Sequence, residues 1–130
     1  MDKKKQIALL DKLTSEYVRR SYANSRGYAP CYTCGRMFFW KELDCGHLIK
    51  RSHYATRWDL ENLRPQCQIC NRLLGGNYKI YTEKMKKELG QERYDALWRK
   101  SRQTYKFYDL DDRILEMTHK LEFLDESQFF

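Results

Sequence analysis

No apolar run in the 130-residue sequence is long enough to span a bilayer, so a membrane-crossing helix is not expected. The basic start MDKKKQIALLDKL lacks the features of a secretory leader: Asp11 and Lys12 interrupt its apolar stretch and no small-residue cleavage site follows. The expected location is therefore the cytoplasm. Proline is scarce, at two residues, and one third of the chain is charged, which predicts a soluble and largely helical protein. Internal repeats and low-complexity linkers are also lacking, and the length suits one domain, 1–130, around one modest core. What is abundant argues against disorder: three tryptophans, ten tyrosines and six phenylalanines.

Acidic residues are in short supply over most of the chain. Residues 1–108 hold 23 basic and 11 acidic side chains, a net charge of +12, whereas residues 109–130 hold 2 and 7, a net charge of −5. A surplus of +12 attracts a polyanion, and nucleic acid is the natural partner. A merely solvated basic surface is the plainer alternative.

The five cysteines are an odd number, which together with a cytoplasmic setting argues against a disulfide framework. Four fall into two pairs, Cys31-Tyr-Thr-Cys34 and Cys67-Gln-Ile-Cys70, and Cys45 is left over. Each C-x-x-C turn can aim two thiolates at one tetrahedral ion, and Gly35 suits the tight backbone of the first turn. A redox motif would explain one pair but not two. The expectation is a structural zinc held by Cys31, Cys34, Cys67 and Cys70, closed to chemistry because four thiolates leave no open position.

Apolar spacing predicts helices over Lys4–Ala23, Lys79–Leu89, Glu92–Gln103 and Asp111–Leu124, and a shorter one from Ile69 to Leu74 that Gly75-Gly76 stops. Met37–Ile49 lacks a helical stripe and reads as a strand or hairpin arm; Asp59–Pro65 leads into a second. Four regions follow: an N-terminal helix (1–25), a zinc-stapled centre (31–77), a basic helical segment (78–108) and an acidic helix with its tail (109–130). The acidic helix should dock against the domain or a second subunit, away from the cleft, with Asp125–Phe130 loose or used for contacts.

Strand, loop, strand and helix with a knuckle at each end resembles the ββα-metal arrangement of HNH nucleases. Within that group, Asp44-Cys45-Gly46-His47, Arg57-Trp58-Asp59, Asn62, Gln66-Cys67, Cys70-Asn71, Gly76-Asn77 and Tyr81 are similar to the phage recombination endonuclease family called NinG or Rap. The resemblance covers Cys31 to Trp98 and implies an α+β fold: a small zinc-clipped ββα-metal core with flanking α-helices. It further implies a bacteriophage protein, a metal-dependent DNA endonuclease in the host cytoplasm that acts on branched recombination intermediates such as D-loops and Holliday junctions. His47 falls at the general base, Asn62 at the middle asparagine and Asn71 at the final ligand position for catalytic Mg²⁺ or Mn²⁺.

The chemistry suits those residue types. A neutral imidazole takes a proton from water near pH 7, and hard cations take oxygen ligands. The position before the base is Gly46, so Asp44 is read either as the carboxylate ligand, reaching across the space that Gly46 leaves, or as a group that orients His47. Asn62 is expected to brace the loop by amide hydrogen bonds, and Lys50, Arg51, Arg57, Arg64 and Arg72 to neutralise phosphates. His53 reads as a phosphate contact or plain surface, His119 as structural and Cys45 as a small buried residue. The rival reading is a non-catalytic zinc-stabilised module that binds DNA or protein. A two-armed substrate would suit a homodimer.

Overall fold

The computed structural model describes residues 1–127. Helix α1, Lys3–Ser21, begins where the Asp2 carboxylate accepts the Lys5 N–H at 2.8 Å, filling one of the donors that the first turn leaves unpaired. Leu10, Thr14 and Val18 recur every four residues and form its buried seam. Strands β1, Tyr28–Pro30, and β2, Met37–Phe39, pair antiparallel with Ala29 opposite Phe38, and the first cysteine knuckle is the turn between them. Gly35, at φ +79°, closes that turn by donating to the Cys31 carbonyl at 2.9 Å.

A single turn of 3₁₀ helix, Trp40–Glu42, then carries the chain into a second sheet. Strand β3, Asp44–His47, pairs antiparallel with β4, Leu63–Gln66, setting Asp44 opposite Gln66 and His47 opposite Leu63. The stretch Met37–Ile49, expected as one arm, is thus divided between two sheets, because the 3₁₀ turn ends the first ladder before β3 begins. The β3–β4 loop holds a short helix, α2, Tyr54–Arg57, that the apolar spacing did not announce. After the second knuckle the expected helix from Ile69 is a π-helical segment, Ile69–Leu73, with the Leu74 N–H reaching back five residues to the Ile69 carbonyl at 2.9 Å.

Helices α3, Tyr78–Leu89, α4, Gln91–Ser101, and α5, Leu110–Ser127, complete the fold. Among the described residues the buried apolar side chains gather in three clusters instead of one core. Leu48 and Ile49 pack beneath Tyr81, Met85, Leu89, Tyr94 and Leu97 of α3 and α4. Ala29 and Leu43 enclose the knuckles. Leu10 of α1, Trp58, and Leu110 and Met117 of α5 form the third. Strands of three or four residues cannot bury a continuous sheet face, so the helices collect around separate anchors.

Helix α5 docks along α1, where Gln6 donates to Asp111 at 2.6 Å and Arg20 pairs with Asp125. The segment from Asp125, expected to be loose or used for contacts, is helical through Ser127 and contacts α1 at Asp125, and residues 128–130 lie outside the described residues. Among the described residues no helix is long and apolar enough to cross a membrane.

Candidate metal centre and active site

The first knuckle hangs from the β1–β2 turn and the second from the end of β4, and pairing of the elements brings them together. The four ligand sulfurs of Cys31, Cys34, Cys67 and Cys70 lie within 4.8 Å of one another, and those of Cys34 and Cys67 are 3.9 Å apart. An ion with four thiolates at about 2.3 Å would set its sulfurs roughly 3.8 Å apart, so the cluster fits tetrahedral zinc. Backbone and side-chain donors support the sulfurs: the Cys70 N–H points at Cys67 Sγ at 3.4 Å and the Asn77 amide at Cys70 Sγ at 3.7 Å. Burial alone would push the Cys31 thiol up, but hydrogen bonds from Thr33 and from the backbone of Cys67 and Cys34 bring it down to about 6. Cys67 goes the other way, to about 12, through burial and the hydrogen bonds and charge of its sulfur neighbours. Successive thiolates repel one another here, and a divalent cation would relieve that repulsion.

Beside the second knuckle, Asp44 meets the middle of the π-helical segment. Its Oδ2 accepts from the Asn71 amide at 3.0 Å and from Arg72 Nε at 2.9 Å, while Oδ1 accepts from the other arm of Arg72 at 2.9 Å. Asp44 and Asn71, expected to share a cation, are therefore neighbours, with an exposed guanidinium forked onto the carboxylate. Gly46 does not leave its space to Asp44. A Cβ at that position would meet the Gln66 amide oxygen at 2.0 Å, so the missing side chain accommodates Gln66, which donates to the Gly76 carbonyl at 2.9 Å.

His47 faces the other side of β3. Alternation along a strand puts Asp44 and Gly46 on one face and Cys45 and His47 on the other. His47 is three residues from Asp44, roughly 10 Å at strand rise. It lines a cavity of about 260 Å³ between α1 and the sheet, together with Asp11, Lys12, Ser15, Arg51, Arg57 and Trp58. His47 Nε2 lies 3.0 Å from the Arg57 carbonyl. A carbonyl only accepts, so Nε2 carries the hydrogen, and in the neutral ring Nδ1 carries the lone pair. Burial holds the imidazole pKa below its usual value, helped by the charge of Arg51 and opposed by the backbone of Arg57 and Cys45. The neutral form of the ring is therefore favoured at pH 7.

Asn62, wholly buried, ties the two ends of the β3–β4 loop. It accepts from the Ile49 N–H at 2.8 Å and donates to the carbonyls of Ile49 and Thr56 at 3.0 and 3.1 Å. Of the five basic residues expected on phosphates, Lys50, Arg51 and Arg72 are exposed. Arg64 is not available: its side chain is 5% exposed, pairs with Glu88 and donates to the carbonyls of Leu60, Glu61 and Leu63. Arg57 is likewise committed, forked onto Asp11 at 3.0 and 2.6 Å. Both arginines brace the loop from within, and the sequence could not distinguish such internal struts from surface cations. His53 is exposed, and so is His119 on α5. Cys45 is only partly buried and lines the His47 cavity.

The residue that sequence reasoning missed is Asp11, which accepts from Arg57, Arg51 and the Trp58 indole. Burial would raise its carboxyl, yet hydrogen bonds from Arg57 and Trp58 and the charges of both arginines hold it below the usual range. The available signal was a charge directly after buried Leu10 and three residues before buried Thr14.

No curated protein and no solved structure matches the chain. A family model does, that of the bacteriophage lambda NinG protein, and it aligns with residues 2–126. With nearly its whole length matched, the chain belongs to the bacteriophage lambda NinG family.

Proposed function

We propose that this protein is a zinc-stabilised, metal-dependent DNA endonuclease of HNH type that cuts branched recombination intermediates, with His47 as general base. The observation that carries the reading is the His47 imidazole: kept neutral by burial, fixed through Nε2 to the Arg57 carbonyl, and left with Nδ1 to take a proton, in a cavity that Lys12 and Arg51 make basic. Such a base contributes roughly 10²–10⁴-fold in rate. Asn62 holds the loop that carries the Arg57 carbonyl, while exposed Lys50 and Arg51 attract the phosphates.

Asp44 and Asn71 offer oxygen donors to Mg²⁺ or Mn²⁺, and the guanidinium now forked onto Asp44 marks a place that favours positive charge. A divalent cation bound there would supply positive charge to phosphate held on the face of β3 opposite His47. Zinc in the four-cysteine cluster would hold the knuckles together and take no part in chemistry. The NinG family, through the recombination nucleases with which it is associated, supports branched DNA as the substrate, and a two-armed substrate would suit a homodimer.

A second reading is favoured by one observation, that Asp44 pairs with Arg72 on the face of β3 opposite His47. On that reading the protein is a non-catalytic zinc-stabilised module that binds DNA or protein. Incubating zinc-loaded protein with labelled four-way junction, D-loop and linear duplex, with Mg²⁺ or Mn²⁺ and with chelator, separates the two. The nuclease reading expects metal-dependent cuts in the branched substrates. Binding without any cleavage supports the module.

A further inference from the structure

Helix α1 lies outside the stretch whose motifs carry the resemblance, yet it places a carboxylate against the residues that hold the candidate base. Asp11 Oδ1 accepts from Arg57 Nε at 3.0 Å and the Trp58 indole at 2.8 Å. Its Oδ2 accepts from the second arm of Arg57 at 2.6 Å and from Arg51 at 2.9 Å. The Arg57 carbonyl in turn accepts from His47 Nε2 at 3.0 Å. The contacts therefore run from Asp11, through the side chains of Arg57 and Trp58, to the backbone between them and on to the imidazole.

That backbone needs an outside anchor. Arg57 ends a helix of four residues, too short to hold itself, and its carbonyl has no further turn to accept from. We infer that Asp11 is a positioning residue for His47: by gripping Arg57 and Trp58 together it fixes the Arg57 carbonyl against Nε2 and so leaves Nδ1 as the proton acceptor. The same grip keeps the Arg57 guanidinium inside the fold. The catalytic consequence rests on the nuclease reading, whereas the coupling of Asp11 to the imidazole tautomer does not.

Asp11→Asn keeps the shape and one acceptor oxygen but loses the charge and the two-pronged fork. Long-range ¹H–¹⁵N NMR of the imidazole reads which nitrogen is protonated, and it needs no activity. In the zinc-loaded wild type His47 should show hydrogen on Nε2 alone, and in Asp11→Asn a mixture of both tautomers. Steady-state cleavage of a four-way junction should lose about tenfold or more in kcat, part of the general-base contribution. KM should stay level or fall, since a negative charge beside the phosphates is gone. A purely structural role would instead lower the melting temperature and weaken binding without altering the tautomer. Should Asp11→Asn fail to fold, Trp58→Phe removes one donor to Asp11 and should shift the tautomer in the same direction. A wild-type tautomer in every folded variant overturns the inference. Wild-type protein that cuts no DNA overturns the nuclease reading instead, and the tautomer comparison still decides the role of Asp11.

Discussion

Removing the Asn62 side chain probes how the β3–β4 loop holds its shape. In Asn62→Ala the main-chain bond from the Leu48 N–H to the Asn62 carbonyl, 3.1 Å, survives. The Thr56 carbonyl keeps a second donor, the Asp59 N–H at 3.2 Å. The Ile49 N–H and carbonyl are left without the partners they had at 2.8 and 3.0 Å, inside a residue that is 0% exposed. Two orphaned buried groups cost roughly 1–3 kcal/mol each, hence roughly 2–6 kcal/mol together. That is a large part of the about 5–15 kcal/mol that holds a domain folded. Urea unfolding of zinc-loaded protein should show the loss, and the Ile49 amide should exchange with solvent far faster than its neighbours in α3. Asn62→Asp should be no better at neutral pH, because a carboxylate facing two carbonyls is repelled, and it should regain stability as pH falls and the acid becomes a donor. A loss below about 1 kcal/mol with the Ile49 amide still protected would refute the idea that Asn62 holds the loop.

Cys67→Ser should lose zinc, measured by metal analysis, and melt or aggregate, since structural zinc contributes roughly 10–16 kcal/mol of apparent binding energy; Cys45→Ala should keep its zinc. Arg64→Ala should destabilise the fold by about 2 kcal/mol or more through the carbonyls and Glu88 it abandons, while the salt dependence of DNA binding stays as it was. Arg51→Ala, on an exposed pair, should cost at most about 1 kcal/mol and reduce the salt slope by about one. Burial makes His47 titrate below the ordinary imidazole value of 6.5 in the folded state, so the unfolded chain takes up the proton first. Stability should therefore fall as pH drops below 6.5 toward the folded value, and His47→Gln should flatten that part of a urea-unfolding series across pH.

What could be read from the residues follows the range of the interactions. Cysteine spacing located the sulfur cluster, because two C-x-x-C turns constrain their own geometry. The helices α1, α3, α4 and α5 were legible from apolar periodicity, a property of each segment alone. The apolar stripe of α5 also announced its docking, although its partner, α1, lies about a hundred residues away. Pairings between distant segments were not legible. Arg57 and Arg64 looked like surface cations because nothing local announces Asp11 or Glu88 as their partners. Gly46 suggested room for Asp44, but the pairing of β3 with β4 gives that space to Gln66. The same ladder sets Asp44 and His47 on opposite faces, a consequence of strand alternation that motif spacing does not display.

On the proposed mechanism, His47 takes the proton that makes a water attack the phosphodiester. Single-turnover cleavage of a labelled four-way junction by wild-type and His47→Ala protein, both zinc-loaded and saturated with DNA in Mg²⁺ or Mn²⁺, tests it most directly. His47→Ala should bind the junction as the wild type does and cut it roughly 10²–10⁴-fold more slowly. Cleavage by His47→Ala at the wild-type rate would contradict the mechanism.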